Sequence, residues 1–232
     1  MRLNLPNQIT LARLCLAVLV LALLSCFDAR QLDGQRWLLN ACFWLFLVAG
    51  VTDVLDGLLA RMLRSVTSFG RILDPVVDKI MVCGAFVLFA SQHFWDGHNN
   101  IADVQPWMVV VIVGRELLVS AFRAESEAEG REFGASWVGK LKMFFQCVAV
   151  CVVLGQLAWN LESLAPLRTA AVWVAVAVTA MSAVSYLHRA RTFFLSNAAL
   201  GAAPPTGPTT GPSGGTQPAT DAQRGESARE PR

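Results

Sequence analysis

The sequence predicts an all-α, polytopic integral membrane protein with six transmembrane helices. Three observations carry that prediction. Of the chain, 54% is hydrophobic and only 16% is charged, whereas about a quarter of a soluble domain is charged. Six stretches are long and apolar enough to cross roughly 30 Å of hydrocarbon. None of them alternates with a period of two, so they read as helices and not as barrel strands. Mean hydropathy is +0.48, even with a long polar tail averaged in.

The first stretch, Ile9–Phe27, follows a segment in which Pro6 sets a turn and Asn7 or Thr10 can cap the helix. Leu24-Ser25-Cys26 faintly suggests a lipoprotein cleavage site. Arg13 interrupts the apolar run and Arg2 alone makes a thin charged start, so an uncleaved helix is expected. The second stretch, Trp37–Leu59, ends in a face carrying Asp53 and Asp56. The third, Ile72–Ala90, begins between Gly70 and Pro75, the latter tolerable in a first turn. Trp107–Phe122 holds Arg115 and Glu116 within apolar sequence, and Trp137–Ala158 opens with Lys140 and Lys142. Ala170–Leu187 completes the set. Trp37, Trp95, Trp107, Trp137 and Trp159 lie near the ends, where amphipathic rings favour the membrane interface.

With six helices, Arg2, Arg13, Arg61, Arg64, Arg71, Arg123, Arg131, Lys140, Lys142, Arg189 and Arg191 fall on one side, against Arg30, Arg36 and Arg168 on the other. Positive-inside logic then turns both termini and the aspartates toward the cytoplasm. From Ser196 the composition changes to Ala, Gly, Pro, Thr and Ser. Residues 1–195 are therefore expected to form the membrane domain and 196–232 a disordered tail. The six cysteines lie in apolar stretches with no C-x-x-C spacing, so buried free thiols are expected, with neither disulfides nor zinc. A net charge of +2 gives no nucleic-acid signature. His93, His98 and His188 fall in loops or near a helix end and carry no evident role. Glu125, Glu127, Glu129 and Glu132 read as a solvated loop face.

Four aspartates stand out: Asp53-x2-Asp56-Gly57-x2-Ala60-Arg61-x8-Gly70-x3-Asp74-x3-Asp78. One aspartate at the centre of a membrane helix costs roughly 2.5–3.5 kcal/mol, so four need a compensating partner. On a helix, Asp53, Asp56, Gly57, Ala60 and Arg61 share a face. Gly57 and Ala60 remove bulk there, and Arg61 can neutralise a phosphate lying against the backbone. Asp74 and Asp78 form a second pair one turn apart. Two facing helices can pool all four carboxylates, whose mutual repulsion makes them take up protons or cations. An oxygen-only donor set suits Mg²⁺ or Mn²⁺, and two metals can clamp a displacement at phosphorus. The plainer alternative pairs the aspartates with Arg61, Arg64, Arg71 and Lys79 at the interface.

This run matches, without a departure, the signature of the CDP-alcohol phosphatidyltransferase family, and the chain is identified as resembling that family. The resemblance implies a six-helix enzyme of the bacterial inner or cell membrane, usually a homodimer, that moves a phosphatidyl group from a CDP-linked lipid to an alcohol and releases CMP. It implies that Asp53, Asp56, Asp74 and Asp78 ligate Mg²⁺ or Mn²⁺, two ions per site, and that Asp78 is also the base for the acceptor hydroxyl. It assigns Gly57, Ala60, Arg61, Thr67 and Gly70 to the CDP-diacylglycerol site.

Two further stretches resemble the phosphatidylglycerophosphate synthase branch of the family. The opening Asn4-Leu5-Pro6-Asn7-Gln8-Ile9-Thr10-Leu11-Ala12-Arg13 adds Asn7 and Thr10 as contacts for the cytidine or pyrophosphate. Arg115–Arg123 and Ser136–Gln146 form the second, with Met143 standing where that branch often has threonine. Arg115, Arg123, Lys140 and Lys142 can then hold the phosphate of sn-glycerol 3-phosphate. Anchoring by snorkelling side chains is the competing explanation, and Glu116 offers Arg115 a partner. Acceptors such as phosphatidylglycerol, inositol phosphate or serine keep the same chemistry. A cation or proton transporter is the rival of another class, but its carboxylates should continue across the membrane, and here they cluster at one depth.

Overall fold

The structure is a computed structural model describing residues 5–63, 68–128 and 137–201, with side chains described over 11–52, 76–125 and 141–188. Among the described residues there are six long helices: α1 (Leu5–Ser25), α2 (Leu32–Leu63), α3 (Ser68–Phe89), α4 (Pro106–Ala128), α5 (Trp137–Ala158) and α6 (Ala165–Gly201). Each apolar stretch falls on one of them, and α2, α4 and α6 run several residues past it. Helix α4 opens on Pro106, whose absent N–H costs nothing at a first position. Helix α5 ends two residues before Asn160, which takes the left-handed conformation (φ 52°) that closes many helices.

The loop before α4 departs from the all-α expectation by a minimal hairpin. Strand β1 (Trp95–Asp96) pairs antiparallel with β2 (Asn99–Asn100), in the register Trp95 to Asn100 and Asp96 to Asn99. Gly97 supplies the positive φ (65°) that a two-residue hairpin requires. A segment this short has no sequence period, so the hairpin could not be read from alternation.

Helix α1 packs on α2 and α3, α2 packs on α5, and α3 packs on α4 and α5. The buried stripe recurs at helical spacing: Ala17, Val20 and Leu24 on α1; Leu39, Cys42, Phe46 and Ala49 on α2; Ala85, Phe86 and Phe89 on α3; Ala149, Val150, Val153 and Leu154 on α5. The opposite faces carry exposed Val18, Trp44, Val48, Val110, Leu117, Phe144 and Val184, a distribution suited to lipid and unfavourable in water. Phe27, Phe94 and Phe89 stack at one end of the bundle, with ring centroids 4.7 and 5.1 Å apart. The cysteines are all free, but Cys15 and Cys26 are exposed, contrary to the expectation of burial. In a membrane chain an apolar neighbourhood does not distinguish a lipid-facing side from an interior one.

Two helical segments, Leu141–Ala158 and Glu162–His188, are long and apolar enough to cross a membrane among the described residues. A third counts if the bent pair Leu11–Ser25 and Ala29–Thr52, angled by 77°, forms one span. The chain divides into two compact units, residues 1–192 and 193–232. The second contains the end of α6, which continues to Gly201, past the change in composition at Ser196.

Helix α1 approaches α3 closely at Gly84, where an added Cβ would lie 2.7 and 2.8 Å from the two methyls of Leu21. Those methyls are the mobile end of a half-buried side chain. Gly84→Ala is therefore expected to be absorbed by a rotamer change, whereas Gly84→Val costs about 1–3 kcal/mol by overpacking. Thermal unfolding in detergent checks this. Equal midpoints for the two variants would rule out the close approach.

Candidate active site

Helices α3, α4 and α5 enclose a cavity of about 270 Å³. Its wall carries Asp78, Lys79, Val82 and Cys83 from α3; Arg115, Glu116, Val119, Ser120 and Arg123 from α4; and Lys142, Met143 and Gln146 from α5. Helical spacing explains the grouping. Residues 78, 79, 82 and 83 share a face of α3; 115, 116, 119, 120 and 123 share one of α4; 142 and 146 lie one turn apart on α5. Four cations and two carboxylates thus meet inside an otherwise apolar bundle.

The charges are held by specific bonds. Glu116, only 6% exposed, accepts on Oε1 from Nη1 of Arg115 (3.2 Å) and from the ammonium of Lys142. Nε and Nη2 of Arg115 both donate to Oγ of Ser182 on α6 (3.2 and 2.6 Å), and its guanidinium lies 5.1 Å from the centroid of the Tyr186 ring. Such desolvated cations persist only where hydrogen bonds and counter-charge replace water. Lys79 donates to Oγ of Ser120, which donates to the Glu116 carbonyl at 2.6 Å. Gln146 donates to Oγ1 of Thr179 (2.9 Å), tying α5 to α6. On the α1 side, Nη1 of Arg13 pairs with Oδ1 of Asp78 at 3.5 Å, the guanidinium residue being buried and the aspartate partly open.

Of the residues singled out from sequence, Asp78, Arg115, Arg123 and Lys142 come together on this cavity. Positions 53, 56, 57, 60 and 61 lie on the last turns of α2, positions 70 and 74 on the first turns of α3, 7 and 10 on α1, and 140 on α5. The side chains of Asp53, Asp56, Ala60, Arg61, Asp74, Asn7, Thr10 and Lys140 lie outside the described residues, as does the whole of Thr67. Among the described residues no three His, Cys, Asp or Glu side chains form a group able to hold a metal. The donor set nevertheless fits a hard divalent cation in its chemistry. It offers carboxylate oxygen alone, at positions one turn apart on each of two consecutive helices.

Sequence reasoning missed three features of the site. Arg13 was read as an interruption of the apolar run and a topological charge, yet it pairs with Asp78; a cation within an apolar helix is itself a signal that a counter-charge lies nearby. Lys79 appeared only as an interfacial pair and faces the cavity instead. Glu116 was seen as a neighbour of Arg115 but serves Lys142 as well.

A helical membrane protein with an ionic cavity lined by Asp78 and four cations is the kind of molecule the fold and site define. A family model for CDP-alcohol phosphatidyltransferase matches residues 3–181. Similar curated proteins include the CDP-diacylglycerol–glycerol-3-phosphate 3-phosphatidyltransferase of Bacillus subtilis (strain 168), 36% identical over 80% of this chain and 94% of the relative. Proteins with the same name from Sodalis glossinidius and Pectobacterium atrosepticum are each 33% identical over 82% of this chain and 97% of their own length. The chain belongs to the CDP-alcohol phosphatidyltransferase family, enzymes that generally use a divalent metal.

Proposed function

We propose that this protein transfers a phosphatidyl group from CDP-diacylglycerol to sn-glycerol 3-phosphate, giving phosphatidylglycerophosphate and CMP for phospholipid synthesis. One observation carries the choice of acceptor. Asp78 shares a single cavity with Arg115, Arg123 and Lys142, a combination suited to an alcohol that also bears a phosphate. The names of the relatives point to the same acceptor.

In this reading the acceptor phosphate lies against Arg115, Arg123, Lys142 and Lys140, and its free hydroxyl reaches Asp78. The Asp78 carboxylate accepts the hydroxyl proton. The acceptor oxygen bonds to the phosphorus that carries the diacylglycerol, and the bridging P–O bond breaks with its electron pair leaving on CMP. Arg13 keeps the Asp78 carboxylate oriented from the α1 side. Asn7, Thr10, Gly57, Ala60, Arg61, Thr67 and Gly70 line the path of the CDP moiety. Asp53, Asp56, Asp74 and Asp78 would hold Mg²⁺ or Mn²⁺, two ions per site, which supplies neutralising charge to the pyrophosphate. Six membrane crossings, an active site and both termini toward the cytoplasm, a homodimeric state and a solvated tail after residue 195 complete the proposal. The orientation is supported by the positive-inside distribution.

The test offers the purified protein CDP-diacylglycerol, Mg²⁺ and, separately, sn-glycerol 3-phosphate, phosphatidylglycerol, inositol phosphate and serine, with lipid products identified by mass. Phosphatidylglycerophosphate with stoichiometric CMP is expected. A product from another alcohol but none from glycerol 3-phosphate overturns the choice of acceptor. Ion flux without CMP release overturns the enzymatic reading.

A further inference from the structure

Glu116 is a buried acid among four cations that line the same cavity. Its carboxylate faces the cavity, where it would repel an incoming phosphate, so its presence calls for a reason. The reason lies in its partners. Among the described residues, Glu116 is the sole hydrogen-bond partner of the Lys142 ammonium, whose side chain is only 7% exposed. Lysine carries a compact charge on a flexible four-carbon stem and, unlike arginine, does not orient itself. A buried ammonium without a counter-charge withdraws toward water or loses its proton.

Arg115 is placed differently. Among the described residues, two of its three hydrogen bonds go to Ser182 and its face rests on Tyr186, so the third, to Glu116, ties an already ordered guanidinium to the lysine. Both cations meet the same atom, Oε1, and among the described residues no hydrogen bond reaches Oε2. One carboxylate therefore ties Lys142 of α5 to the ordered Arg115 of α4.

We infer that Glu116 is a positioning residue, which holds Lys142 in place beside the already ordered Arg115 so that the acceptor phosphate meets cations fixed beforehand and stripped of water. The inference rests on the proposed assignment of the acceptor phosphate to these cations. Ordering outweighs repulsion here because, among the described residues, Lys142 has no other hydrogen-bond partner, and ordering achieved in advance does not weaken binding.

The experiment measures KM for sn-glycerol 3-phosphate, KM for CDP-diacylglycerol, kcat and the unfolding midpoint for the full chain in detergent. It compares wild type with Glu116→Gln, Glu116→Asp, Lys142→Met and the double variant Glu116→Gln/Lys142→Met. For Glu116→Gln, acceptor KM is expected to rise at least tenfold while KM for CDP-diacylglycerol stays within twofold. In the Lys142→Met background the same change should raise acceptor KM by less than about threefold, because the lysine it positions is gone. Should Glu116→Gln fail to fold, Glu116→Asp carries the test, with a severalfold rise confined to acceptor KM.

If both KM values and kcat change alike with the midpoint, Glu116 is only structural and the inference fails. If Lys142→Met raises acceptor KM but neither Glu116 variant does, the inference fails while the acceptor assignment stands. If Lys142→Met leaves acceptor KM unchanged, the acceptor assignment itself is wrong.

Discussion

Replacing Asp78 by asparagine is expected to lower kcat by about 10³-fold or more while leaving the bundle folded. Removal of a general base alone costs about 10²–10⁴, and the same substitution removes a carboxylate from the proposed metal set. Asparagine keeps the shape and a carbonyl oxygen for Arg13, which now contacts Oδ1 of Asp78 at 3.5 Å. The loss should therefore be chemical and not structural. CMP release in detergent micelles at saturating substrates measures it, with helical content and unfolding midpoint as controls. A variant retaining more than a tenth of the wild-type rate would remove Asp78 from the reaction, and with it the argument that the cavity is where the acceptor is activated.

The second large effect is expected at Arg115. Its guanidinium makes two bonds to Ser182 and one to Glu116, all buried, and lies over Tyr186. Hydrogen bonds to charged groups contribute about 1.5–3 kcal/mol each when a partner is removed. Arg115→Met should accordingly raise KM for sn-glycerol 3-phosphate by ten- to a hundredfold and lower the unfolding midpoint, since Ser182 loses both donors. Arg115→Lys should fall between the two proteins. It restores the charge, but a single ammonium cannot span Ser182 and Glu116 in the planar geometry of the guanidinium fork. If Arg115→Met lowers stability but leaves acceptor KM within twofold, Arg115 is a strut between α4 and α6 and not part of the acceptor pocket.

These expectations draw unequally on sequence and structure. Helix positions were legible because a membrane helix must be continuously apolar over about 20 residues, a demand written locally in the chain. The aspartate ladder was legible for a related reason: charges are so costly in such segments that their spacing stands out against the background. Lys142, Arg123 and Arg115 could be nominated as anion ligands on charge and resemblance. What each of them touches could not. Arg13 and Asp78 are 65 residues apart, Arg115 and Ser182 are 67 apart, and Lys142 and Glu116 are 26 apart. Pairings at such distances depend on how helices rotate about their axes as they pack, and no local period encodes that rotation.

Burial followed the same division. The apolar stretches could not say which side faces lipid and which faces protein, as Cys15 and Cys42 show: one is exposed and the other buried within similar sequence. In water the hydrophobic effect would sort the two faces by composition. In a bilayer both surroundings are apolar, and sorting passes to small residues and hydrogen bonds. Gly84 against Leu21, and Thr179 and Ser182 buried on α6, are instances of it.

A helical membrane protein could be read from the chain alone, because insertion costs are set within single helices, and the aspartate motif carried the resemblance to the CDP-alcohol phosphatidyltransferase family. It took the packing of helices to bring Asp78 into one cavity with Arg115, Arg123 and Lys142, and to set Glu116 between two of those cations. Such an arrangement exists only once α3, α4 and α5 have closed together, where exclusion of water makes each unpaired charge too costly to leave alone.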